Sequence, residues 1–268
     1  MQQILQANPL VFYIIAGGGL FTAVHCLFRF RSLRAKMIFL YSASAVSIIT
    51  FIINMAVNFF VYNRHILELL PLHLCYLSVF FIPAALKLKR KAFYDFVFFI
   101  GSAAAFFAIF FPYQPYVDGV FSAKTFTYFS YHFFVAVIPL WMFSWKIYSP
   151  KISFKCASAL LGVLLLMGVL IHGLNILLIN NGIENANYFM TMVEQGRQNN
   201  ALLALFAAII PVDFFYMFFA FPILYAYMGI WNLSLNLAQR SVTKTRSAQQ
   251  SRGAVQKDAA QGNAITVP

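Results

Sequence analysis

Apolar residues run along this chain in seven long blocks, near positions 10–28, 37–62, 68–86, 93–112, 126–147, 155–180 and 202–233. Each block is long enough to cross about 30 Å of hydrocarbon as a helix rising about 1.5 Å per residue. None alternates apolar and polar positions as a spanning β-strand would. Inside lipid every backbone donor and acceptor must be satisfied within its own segment, so the blocks predict helices. They are apolar on every face, whereas a helix on a soluble core keeps a polar face. The expected architecture is therefore all-α: a polytopic bundle of about seven transmembrane helices over residues 1–238. A basic, structureless tail, rich in Gln, Ser and Ala, follows over 239–268. Composition agrees, since 62% of the residues are hydrophobic and 10% charged, against roughly half and a quarter in soluble domains.

The formal charge of +12 changes the picture only through its placement. Of the 19 basic residues, all but Arg64, Lys124 and Arg197 fall between blocks one and two, three and four, five and six, or after block seven. That asymmetry predicts an N-terminus outside and a C-terminus inside the cytoplasm. It also accounts for the basic charge as a topology signal that touches anionic lipid, so nucleic acid is not an expected partner and membrane lipids are. The first ten residues lack a basic leader and a small-residue cleavage site, so the first block is expected to be retained. Cys26, Cys75 and Cys156 are too far apart to form a metal motif or a disulfide framework, and neither a metal nor a cofactor is expected.

Polar groups inside spans are costly and mark the places where chemistry is to be sought. Asn54 and Asn58 lie one turn apart in the second block. His73, Cys75 and Tyr76 open the third, Ser130, Tyr131 and His132 share a depth in the fifth, and His172 and Asn175 occupy one face of the sixth. If these faces converge they form a polar pocket in the outer half of the membrane. His25 and Asp95 belong near the inner face. Asp213, two residues after Pro211, is expected near mid-membrane in the seventh block, as an intramembrane carboxylate handling protons or cations, or as a buried hydrogen-bonding group. Each of these residues also has a plain structural reading, because an interhelical hydrogen bond in a membrane contributes about 0.6 kcal/mol, up to ~2. On an ideal helix His73 and Cys75 stand about 200° apart and share no face. A base for the Cys75 thiol would then come from another span, His132 or His172.

The stretch Leu70-Pro71-Leu72-His73-Leu74-Cys75 resembles the LPLxxC motif of the YwaF-like integral membrane protein family, related to eukaryotic transmembrane protein 164. The aromatic run Phe126-Thr127-Tyr128-Phe129-Ser130-Tyr131-His132 is similar to that family's run ending in histidine, and Asn187-Tyr188-Phe189-Met190 to its segment after the sixth span. The three matches occur in family order over roughly positions 68 to 192. The family's final Trp-Pro-x-Tyr element is missing, and Ile210-Pro211-Val212-Asp213 stands nearby. The resemblance implies an acyltransferase-like activity on lipids, with Cys75 as acyl carrier and His132 as base.

The leading expectation is a membrane enzyme that transfers or hydrolyses a lipid acyl chain, with His73, Asn54 or Asn58 holding the oxyanion, His172 and Asn175 lining the same pocket, and the loop carrying Asn187 and Tyr188 as a lid. The alternatives are a proton-coupled transporter built on Asp213 and the histidines, a seven-helix receptor or accessory subunit, and a membrane protein without catalysis. The charge asymmetry yields its own prediction: a tag fused after Pro268 stays protected from protease added outside sealed cells. Its removal would reverse the orientation.

Overall fold

A computed structural model describes residues 9–112 and 119–237. The basic tail 239–268 lies outside the described residues. Among these residues there is no strand. Six helices have the length and apolar composition to cross a membrane: α1 (Pro9–Phe28), α2 (Leu33–Phe60), α4 (Lys91–Phe110), α5 (Ala123–Ser144), α6 (Phe154–Asn180) and α9 (Phe215–Leu237). Between α2 and α4 stands the shorter α3 (Leu74–Leu88), and before α9 come the short α7 (Val193–Asn199) and α8 (Ala201–Ile209). Together they make a polytopic helical membrane protein.

The starts of the helices are written locally. Ser32, Ser122 and Ser153 accept from the backbone N–H three residues on, opening α2, α5 and α6, and Asn200 accepts from Leu202 and Leu203 to open α8. Helix α5 sits at the centre, packed against α2 and α4. Its Trp141 is fully buried and stacks between Phe21 of α1 and Trp145. At the end where α1 leaves and α2 begins, the basic end, buried Asp95 accepts from Lys91 at 2.6 Å and 2.7 Å and from the Tyr148 hydroxyl, tying α4 to the loop after α5. Helix α4 carries a π-helical turn, Phe96–Gly101. The Ser102 N–H donates to the Val97 carbonyl across this turn, and the Ser102 Oγ donates to the Ala136 carbonyl of α5 at 3.1 Å, with the Val97 carbonyl as the longer alternative at 3.3 Å.

Two expected spans are built differently. The third block becomes a helix only from Leu74, so that α3, with 15 residues, rises about 22 Å. The backbone that leads into it, Leu69 to His73, is irregular and follows a single 3-10 turn at Ile66–Glu68, and irregular backbone inside a membrane needs partners from the protein. The seventh block is two helices. Pro211 lacks an N–H and forces Ile210 into an extended conformation (φ −126°, ψ 91°), which ends α8. Helix α9 then spans by itself. Asp213, expected near mid-membrane, therefore lies exposed in the connection ahead of α9, at the end opposite the basic one, where its Oδ1 accepts from the Val193 N–H at 2.6 Å.

Gly101 marks a close helix contact: a Cβ there would meet Ser78 Oγ of α3 at 2.5 Å and Ser78 Cβ at 2.9 Å. Gly101→Val should cost about 1–3 kcal/mol or more and lower the thermal midpoint in detergent. Gly18→Ala, with nothing within 4 Å, should not. Equal melting of Gly101→Val and the wild type would contradict this packing of α3 on α4.

Candidate functional site

At the end opposite the basic loops the bundle encloses a cavity of about 540 Å³, within the range that holds one small ligand. Helices α2, α3, α4, α5, α8 and α9 all contribute to its wall. Cys75, His73 and His132 line it together. The ideal-helix separation of His73 from Cys75 does not operate, because His73 is the N-cap of α3, with extended backbone (φ −69°, ψ 149°), and is not one of its helical residues. Its ring meets Tyr76 edge-on at 5.1 Å and Tyr188 at 5.3 Å between centroids, and it makes no capping bond to α3. Cys75 is a free, buried thiol.

His132 is buried between Tyr131 and Tyr128, at ring distances of 4.1 Å and 4.3 Å. Its Nδ1 lies 2.8 Å from the Tyr128 carbonyl oxygen. A carbonyl can only accept, so the proton sits on Nδ1 and Nε2 carries the lone pair. The imidazole is thus fixed in the tautomer that a proton acceptor needs.

Asn54 and Asn58 also line the cavity, but their amide hydrogens are engaged. Asn54 donates to Thr127 Oγ1 at 2.9 Å and to the Lys124 carbonyl, pinning α2 to α5, and Asn58 donates to the Asn54 carbonyl at 2.8 Å and to its side chain. Of the three residues expected to hold an oxyanion, His73 alone makes no side-chain hydrogen bond among the described residues.

His172 and Asn175 do not line the cavity. They hold the loop that roofs it. Asn175 donates to the Tyr188 carbonyl and to Thr191 Oγ1, both at 2.8 Å, and accepts from the Tyr188 N–H at 3.0 Å. His172 Nδ1 lies 3.1 Å from Thr191 Oγ1. From this anchorage Asn185, Asn187, Phe189 and Met190 reach into the wall of the cavity. Phe189 and Met190 have positive φ (56° and 54°), a left-handed backbone that bulky residues adopt only when held. The Tyr188 hydroxyl donates to the Leu67 carbonyl and accepts from the Leu70 N–H at 3.0 Å, so the same residue satisfies the irregular entry to α3.

Several cavity residues carry no motif. Arg64 and Lys124 stand at the polar mouth, Arg64 3.3 Å from Glu68 and Lys124 4.0 Å from the centre of the Tyr62 ring. The signal for them was in the charge distribution: two of the three basic residues outside the basic loops border this one cavity. The opposite part of the wall is apolar, from α4, α8 and α9. Among the described residues no group of three or more His, Cys, Asp or Glu side chains is placed to hold a metal ion.

Fold and cavity together define a multi-pass helical membrane protein with an amphipathic chamber lined by a thiol and two imidazoles. The TMEM164 family matches residues 4–231, and the chain belongs to that family. No curated protein and no solved structure matches it.

Burial pushes the Tyr188 phenol up to about 12. The bond donated to Leu67 uses the neutral hydroxyl, so its contribution is complete below the ordinary phenol value of about 10 and is lost as pH rises through the folded value, whereas the bond accepted from Leu70 does not need the proton. Tyr188→Phe leaves the Leu67 carbonyl and Leu70 N–H without their partner, at about 1–3 kcal/mol for each group that stays buried. Hydrogen exchange over residues 67–72 should accelerate accordingly at neutral pH. Unchanged protection there would mean that the roof does not support the entry to α3.

Proposed function

We propose that this TMEM164-family protein is a membrane enzyme that moves an acyl chain from a lipid ester to an acceptor through a thioester on Cys75. The observation that carries the reading is the chamber itself: Cys75, His73 and His132 border one cavity, between a polar mouth and an apolar wall. Cys75 Sγ attacks the ester carbonyl while His132 Nε2 takes the thiol proton. His73 donates a hydrogen bond to the oxyanion that develops. On collapse the ester C–O bond breaks, the proton on Nε2 passes to the leaving alkoxide, and the acyl group remains on sulfur. A hydroxyl of a second lipid, or water, then attacks the thioester, giving its proton to Nε2 and restoring the thiol.

Membrane lipids are the partners this reading requires. Arg64 and Lys124 at the mouth suit a phosphate-bearing headgroup, with Glu68 holding Arg64 in place. The basic loops of the other end support a place for the cavity in the non-cytoplasmic half of the bilayer. Asp213, on which proton-coupled transport would rest, stands outside the cavity wall, and no observation favours that alternative.

Lipid profiles of membranes carrying the wild type, Cys75→Ala, His132→Ala or no protein test the assignment. One acyl-lipid class should change with the wild type, revert fully with Cys75→Ala and fall by roughly 10²–10⁴ in rate with His132→Ala. A wild-type profile retained by Cys75→Ala, with the protein inserted normally, would sink the nucleophile.

A further inference from the structure

The cavity has an apolar arm that the chemistry at Cys75 leaves unexplained. On α4, which runs towards the cavity end, the lining residues extend from Ala108 back to Ile100. On α9, which runs the other way, they extend from Met217 down to Leu224. Each stretch descends about 10 Å into the membrane. The walls of this arm are narrowed by little: Ala103 and Ala104 of α4 and Ala220 of α9 present only methyl groups to it. They are partly exposed, whereas their neighbour Ala105 is fully buried in the core. Ile100, at the deep end, belongs to the π-helical turn, whose altered register fixes where these alanines point.

We propose that this arm is the subsite for the acyl chain being transferred, and that Ala103, Ala104 and Ala220 set its bore while Ile100 and Leu224 set its depth. The proposal rests on the reading of Cys75 as the nucleophile and adds the determinant of chain selection. Physical reasoning favours selection by shape. A lipid tail leaves an environment as apolar as the arm, so burial gives no net preference for one chain over another. Discrimination then comes from steric exclusion, because a packed wall does not yield to extra methylenes. The cavity of about 540 Å³ takes one chain and the groups around its ester. The remainder of a two-chain lipid stays in the bilayer.

The test uses the full-length protein in membranes and a series of N-alkyl iodoacetamides of increasing chain length, with alkylation of Cys75 followed by mass spectrometry of its peptide. In the wild type the rate should rise with chain length and then break off at a limit. Ala104→Phe or Ala220→Phe should move that limit to shorter chains and slow the longest reagents by about tenfold or more relative to wild type. The rate for iodoacetamide itself should stay unchanged in these variants, which also reports an intact fold. Leu224→Ala should move the limit the other way, so a filled variant that fails to insert does not leave the idea unprobed. Equal chain-length profiles in wild type, Ala104→Phe and Leu224→Ala would overturn the proposal while leaving Cys75 as nucleophile. A Cys75 unreactive to every reagent, iodoacetamide included, would instead overturn the reading beneath it, and the subsite with it.

Discussion

A short third helix sets the problem that the rest of this protein solves. Helix α3 falls short of the hydrocarbon thickness by about a quarter. The chain must therefore enter it through irregular backbone, whose polar groups find no relief in lipid. The Tyr188 hydroxyl meets that demand from both sides, donating to Leu67 and accepting from Leu70. Because Tyr188 is itself bonded to Asn175 of α6 through its own N–H and carbonyl, the loop, α6 and the start of α3 form one connected unit. His73 and Cys75 are positioned by that unit. A residue at an N-cap and another in the first turn can address the same space, which two residues apart within a helix cannot.

The chamber that results is graded along the membrane normal. Its mouth carries Arg64, Lys124 and the asparagines, its middle the thiol and imidazoles, and its deep end aliphatic residues of α4 and α9. Such a gradient is what the proposed lipid ester requires. Affinity in this setting comes from the polar end, because the chain gains nothing by leaving the bilayer. The buried polar pairs that frame the chamber, Asn54 with Thr127 and Ser102 with Ala136, hold α2, α4 and α5 in register, so the cavity is bounded by fixed walls.

Much of this was readable from the residues, and the failures have definite causes. Block length and apolarity predicted spanning helices because lipid imposes that pattern on any sequence. Cys75, His73, His132, Asn54 and Asn58 were singled out by their cost in a membrane, and all five border the cavity. Helix periodicity misjudged His73 because the start of α3 is fixed by a contact 118 positions away in the chain, from Leu70 to Tyr188. A hydropathy window merged α8 with α9, since the interruption from Ile210 to Phe214 is itself mostly apolar, and Asp213 was drawn into the membrane with them. His172 and Asn175 were correctly seen as sharing a face. That face turns to the Tyr188 loop, which no local pattern could reveal. The alanines of α4 gave no signal because a space-making residue differs from a filler only in what stands opposite it.

In the proposed reaction an acyl group resides on Cys75 during turnover. Mass spectrometry of the peptide containing Cys75, recovered from protein working in lipid membranes and quenched in acid, tests it most directly. The expected result is a mass increase of one fatty acyl group on that peptide, released by neutral hydroxylamine as a thioester should be, and accumulating when the acceptor lipid is withheld. An unmodified Cys75 thiol in protein that is demonstrably remodelling lipid would contradict it.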